Sequence, residues 1–161
     1  MMGALILAIL VALWGAAPLR AYGADIVSYA IVKDDGTLRV QGRTIRLYGI
    51  FIPSRDYTCQ NRPLIVPVEC GSRSVLALKF KIGSRFVWCD EQWTNRDRSI
   101  TAVCRIDDED LAAWMLENGW AAALRDAPFE YELLERIAQS RQIGIWGIPV
   151  DSLIRRKGHA W

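Results

Sequence analysis

Between Ile26 and Pro53 the chain alternates short β-rich runs with tight-turn signals, which leaves it few folds to choose from. Ile26–Lys33 reads as a strand, Asp34-Asp35-Gly36 as a turn, Thr37–Gln41 as a second strand and Gly42 as the next turn. Thr44–Ile50 is the third strand. In it Ile45, Leu47 and Gly49 alternate with Arg46, Tyr48 and Ile50 at period two, until Pro53 stops the run. A loop rich in Pro, Arg and Asn follows from Ser54 to Glu69.

The remainder mixes helices with two further strands. Ser72 is a suitable N-cap for a helix through Val75–Ile82 that Gly83 stops. Arg85–Asp90 and Ser99–Ile106 read as paired strands, with polar Glu91–Arg98 as their connecting loop. Asp107 or Asp108 then starts a second helix that ends at Asn118-Gly119; carboxylates there suit the helix dipole better than they suggest catalysis. Trp120–Leu124 is a short last strand. Pro128 opens a third helix, with Phe129, Leu133 and Ile137 at i, i+4, i+8 as its expected buried stripe. Five short strands with a helix after the third predict an α+β fold: a five-stranded β-barrel of the OB type with about three helices.

The 161 residues suit one domain, and 52% apolar composition with seven Trp argues against disorder. Met1–Ala17 is an apolar run slightly short of a ~20-residue bilayer span. Ala21-Tyr22-Gly23 after it is a small-residue cleavage pattern. The expected division is a signal peptide over 1–23, the barrel domain over 24–150 and a basic tail over 151–161. An uncleaved N-terminal anchor is the alternative for the leader. Either places the domain outside the cytoplasm, periplasmic or secreted. The net charge is only +2, and losing Arg20 with the leader leaves 19 basic against 18 acidic residues, so polyanion binding needs a local patch.

Cys59, Cys70, Cys89 and Cys104 follow the leader, and an even count after an export signal reads as two disulfides, with three possible connectivities. Cys89 and Cys104 fall in consecutive strands, where a cross-strand bridge is reasonable. Cys59–Cys70 would then close the loop before the first helix. No cysteine pair has C-x₂-C spacing and His159 is the only histidine, which disfavours zinc. The scattered serines have no partner histidine, so no nucleophile constellation is visible.

TLRVQGRTIRLYGIFIP, Cys70-Gly71, DLAAWMLENGWAAA, the Tyr131-x₃-Glu135 spacing and RQIGIWG, in that order, resemble the staphylococcal nuclease-like (thermonuclease) family over Ile26–Gly147. The resemblance implies an OB-fold barrel and a Ca²⁺-dependent phosphodiesterase acting on DNA and RNA. Such chemistry needs carboxylates to hold calcium and to activate water, and two arginines against the charge that builds on phosphorus.

The resemblance carries over unevenly. The first metal acid of the family, just before the turn Thr, falls at Gly36; Asp35 is one residue off, which on a strand points to the other face. Asp34 matches a supporting acid. The second metal acid falls at Phe51 and the general base at Ser54. The first arginine is kept as Arg46. The second is Arg98, with Arg96 nearby and Ser99 as the other alignment. Asp56, Asp90, Glu91 and Asp97 are replacement acids by composition only.

These substitutions imply a catalytically degenerate domain without a metal, kept as a binding or structural module in the envelope. Its partners would be nucleic acid, another polyanion or an envelope protein. Arg39, Arg43 and Arg55 are expected near the old site, with Trp93 or Tyr57 as stacking surface. The alternatives are an active secreted endonuclease with a rearranged calcium site and an accessory role in envelope or exopolysaccharide production.

Overall fold

The computed structural model describes residues 26–59 and 69–147. The expected leader at 1–23 and tail at 151–161 lie outside these residues. Three antiparallel strands come first: β1 (Ile26–Val32), β2 (Leu38–Val40) and β3 (Arg43–Leu47). Their turns are the ones the sequence marks. Lys33 N–H donates to the Thr37 carbonyl (2.8 Å) around Gly36 at φ 79°, and Gln41-Gly42 take φ 51° and 78° to make the β2–β3 turn. After α1 (Cys70–Ile82) come β5 (Phe86–Thr94) and β6 (Ile100–Ile106), which pair antiparallel, and β5 also pairs with β1.

Closure comes from a parallel pairing of β3 with β6, in the register Ile45↔Ile100, Arg46↔Thr101, Leu47↔Ala102. Five strands thus make a closed barrel, with a sixth, β7 (Glu109–Asp110), added beside β6. Together with three helices this is an OB-like α+β fold. A separate two-stranded ribbon joins β4 (Ile50–Phe51) to β8 (Ala122–Ala123). Among the described residues no helix is long and apolar enough to cross a membrane.

The core follows from the strand alternation. Leu38, Val40, Ile45, Val87, Cys104 and Ile106 are fully buried inside the barrel, where Val75, Leu78 and Ile82 of α1 meet them. A smaller cluster gathers Phe51, Ala122 and Ile145 around the Cys59–Cys70 bridge. The second bridge joins Cys89 to Cys104, which sit directly opposite each other across β5 and β6.

Four sequence expectations are corrected. Helix α1 begins at Cys70, with Glu69 rather than Ser72 at its N-cap. Strand β5 runs on to Thr94, because the polar segment expected as a loop lies on an outer barrel face where water satisfies its side chains. Helix α2 (Leu111–Glu117) is capped by Asp110, whose Oδ1 accepts from Ala112 N–H at 2.8 Å; Asp107 and Asp108 instead form a turn at positive φ. On α3 (Phe129–Ser140) the expected stripe is the outer one: Phe129 is 72% exposed and Leu133 47%, while Tyr131, Glu135 and Ala138 face inward.

Tyr131 explains which face of α3 wins. Its hydroxyl donates to Asp110 Oδ2, so one carboxylate caps α2 and anchors α3. Its ring lies against Gly49, where a Cβ would approach to 3.0 Å and where φ is +71°, so the β3–β4 turn requires glycine. Burial, reinforced by the bond to Asp110, raises the Tyr131 phenol above its ordinary range.

Two predictions result. Replacing Cys89 and Cys104 together by Ala should lower the unfolding free energy by about 3 kcal/mol, read by urea denaturation, since the bridge closes a loop with separation 15. The raised Tyr131 phenol adds stability that is complete below the unfolded tyrosine value of about 10 and is lost as pH rises beyond it. Urea midpoints measured from about pH 9 to 11 should therefore fall less steeply in Tyr131→Phe than in the parent.

Candidate functional site

The β1–β2 turn, the end of β3, the far end of β5 and the loop after β8 surround a cavity of about 410 Å³ on the barrel surface. The strand alternation that sends Ile45 and Leu47 into the core turns Arg46 outward along the cavity wall. Its Nε–H donates to Ser99 Oγ at 3.0 Å and its Nη2 to Asp97 Oδ2 at 2.9 Å. Asp97 Oδ1 in turn accepts from the Ser99 backbone N–H (3.0 Å) and hydroxyl (2.6 Å). The Ser99 hydroxyl bond, then the Arg46 guanidinium, hold the Asp97 carboxyl far below the usual carboxylate range. Asp97 is half exposed, so solvent screens this pair, which holds Arg46 in place without locking it.

Beside it the same sheet face is aromatic, since Arg46 and Trp93 flank Thr101 from either side of β6. Trp93 and Tyr48 meet edge to face with centroids 5.6 Å apart. Asn95 fixes the indole: its Oδ1 accepts from Trp93 Nε1 at 3.1 Å, and its Nδ2 donates to Ser99 Oγ and Thr101 Oγ1. Leu47, Ile50 and Ile52 supply the apolar floor, and Arg125 with Asp126 borders the mouth. Leu124 N–H donates to the Gly49 carbonyl at 2.9 Å, which brings that loop to the site.

The carboxylate nearest the turn is Asp35. Its Oδ1 accepts from the Thr37 N–H (3.0 Å) and hydroxyl (2.6 Å). Burial pushes this carboxyl up, but the Thr37 bonds and the charges of Lys33 and Arg46 outweigh it and leave it below its ordinary value. At Gly36 a Cβ would stand 2.8 Å from both Cβ and Cγ2 of Ile52. The glycine at 36 and the apolar residue at 52 are therefore one coupled arrangement. An aspartate at 36 requires Ile52 to move.

The structure distributes the sequence-derived residues unevenly. Arg46, Gly36 and Trp93 border the cavity; Arg98, Arg39, Arg43 and Arg55 do not. Arg98 occupies the Asn95–Ser99 turn at φ 65°, with its N–H donating to the Asn95 carbonyl, and Ser99 takes the contact with Arg46. Arg55 pairs with Asp34 at 3.5 Å. Phe51 points into the second cluster, edge-on to Tyr57 at 6.3 Å, which removes both rings from the cavity wall. Ser54 bonds Asp56 outside the cavity. Asp90 pairs with Arg105, and Glu91 accepts from Thr94. Arg125 was not evident beforehand. Its only local signal is a charged residue between an Ala-rich strand and the Asp126-Ala127-Pro128 turn.

Calcium requires six to eight oxygen ligands, mostly carboxylates. Among the described residues no group of three or more His, Cys, Asp or Glu side chains gathers to hold a metal, and Asp35 Oδ1 is taken up by Thr37. This donor set does not fit calcium. A general base works best with a pKa near the operating pH, and Asp35 and Asp97 are both displaced the other way. The recess is bordered by Arg46 and Arg125, by Asp126 and by the Tyr48–Trp93 pair.

Gly36→Asp should destabilise the fold by roughly 1–3 kcal/mol, through positive φ and the clash with Ile52. Combining it with Ile52→Ala should recover part of the loss in urea melts, because the second change opens the space.

No family model matches the chain, and no curated protein matches it.

Proposed function

We propose that this chain is an exported, staphylococcal-nuclease-like domain that keeps the ligand cleft without hydrolysing its ligand, and so acts as a binding module for single-stranded nucleic acid or a chemically similar polyanion. One observation carries the reading: Arg46 and Arg125 border the same cavity as the Tyr48–Trp93 pair. A phosphate or other anionic group would meet the guanidinium groups, while a flat ring lies against the indole. The weak Arg46–Asp97 pair can yield to a stronger anion, since charge-assisted bonds to phosphate are the stronger kind. Loss of hydrolysis is supported by the two low-pKa carboxylates, which are poor bases, and by the apolar floor at Ile52. Two disulfides support an oxidising compartment, periplasmic or extracellular.

The test uses purified, oxidised protein with single-stranded DNA and RNA, with and without Ca²⁺. No cleavage is expected under either condition. Binding is expected to weaken as salt rises, with the slope reduced by about one unit in Arg46→Ala or Arg125→Ala. Trp93→Ala should cost about 1–3 kcal/mol of binding free energy with little change in that slope. Calcium-dependent cleavage that disappears in Arg46→Ala would make the protein an enzyme after all, and absence of any salt-sensitive binding would remove the module reading.

A further inference from the structure

The outer face of β1 and β5 is apolar where a barrel strand ordinarily meets water with polar side chains. Tyr29 is 59% exposed, Ile31 67%, and Phe86 and Trp88 46% each. Register places them together. Tyr29 lies opposite Phe86 and Val27 opposite Trp88, and the Tyr29 and Phe86 rings stack with centroids 4.3 Å apart. Ile31 lies opposite Arg39 of β2, and Trp88 opposite Arg105 of β6. None of these residues borders the cavity.

We propose that this face binds a second copy of the same chain in an isologous dimer. The pattern of side chains is self-complementary. Along the strands from the Tyr29–Phe86 row, Arg39 lies two residues to one side and Asp90 four residues to the other. Their midpoint falls between the Tyr29–Phe86 and Val27–Trp88 rows. A twofold axis through that point, lying in the interface and oblique to the strands, sets each Arg39 against the partner copy's Asp90, about 10 Å to either side of the axis at ~3.4 Å per residue. The same operation brings Trp88 onto the Tyr29 and Ile31 region of the second copy and leaves Phe86 close to the axis. Aromatic side chains therefore meet at the centre and opposite charges at the rim, the usual division within an interface.

The charges are available for this. Asp90 already accepts from Arg105 at 2.6 Å and is half exposed, so a second donor can reach it. Arg39 is exposed and makes no ion pair among the described residues. Three aromatic side chains and one Ile, each about half exposed, offer on the order of 400 Å² per copy. That is about half of the ~800 Å² per partner of a standard stable interface, the polar rim adding the rest. The dimer is accordingly a reversible one of roughly micromolar affinity.

Sedimentation velocity of the full-length, oxidised protein over a concentration series should show a reversible monomer–dimer equilibrium. Trp88→Ala should raise the dissociation constant about tenfold or more. Arg39→Asp and Asp90→Arg should each weaken the dimer alone. An equimolar mixture of those two variants should recover wild-type affinity to within a few-fold, because the mixed pair carries opposite charges at both contacts. Melting curves coincident with the parent establish that each variant is folded. Association indifferent to all three substitutions overturns the proposal, as does weakening without recovery on mixing. So does a protein that stays monomeric while a glycan or an oligonucleotide quenches the Trp88 emission.

Discussion

The parallel pairing of β3 with β6 is the constraint on which everything else in this molecule rests. Its two strands are separated in sequence by β4, α1 and β5, so closing it costs chain entropy that only the buried core repays. Ile45, Leu47, Ile100 and Ala102, the inward residues of the paired segment, are all buried. The outward residue between them is Arg46, opposite Thr101. Its bonds to Ser99 and Asp97 tie β3 to the turn that leads into β6, and the Tyr48 N–H extends the closure to the Ala102 carbonyl at 2.9 Å. The same arginine therefore helps to fasten the barrel and faces the cavity.

This double position explains why Arg46 alone is ambiguous evidence for function. An arginine retained for closure needs only Asp97 and Ser99. Several features beside it have no evident part in closure. Arg125 stands on a loop brought in by the β4–β8 ribbon, and Trp93 is oriented by Asn95 into a recess rather than packed away. These two residues, more than Arg46, are placed at the recess by something other than barrel closure.

Much of the barrel was legible in the sequence, because its information is local. The Asp34–Gly36 turn and the turn at Gly42 announce themselves through residues that tolerate positive φ, and Gly83 does the same at the end of α1. The cross-strand Cys89–Cys104 bridge follows once β5 and β6 are seen as neighbours. The failures share a cause. Periodicity on α3 identifies a stripe but not which side meets the core, and the bond from Tyr131 to Asp110 on a distant helix decides that. The polar far end of β5 resembles a loop until a barrel gives it an outer face. At the site, strand alternation turns Arg46 outward in sequence as in structure, whereas the place of Phe51 in the second cluster and of Arg125 at the recess depends on β4 pairing with β8, a contact between segments more than 70 residues apart.

Gly36 and Ile52 show how backbone conformation and packing together fix one position. With glycine at φ 79° the turn is unstrained and the Ile52 side chain closes over it, 8% exposed and joined to the main core. With a carboxylate at 36 the backbone would be strained and Ile52 displaced. Asp35 and Asp97 complete this logic: each has its charge absorbed by a hydroxyl and a backbone N–H two residues on, an arrangement that stabilises turns and leaves little basicity for attack on a phosphate. The Asp35 and Asp97 carboxylates are thus engaged within their own turns, beside a recess that Arg46, Arg125 and the Trp93 indole border.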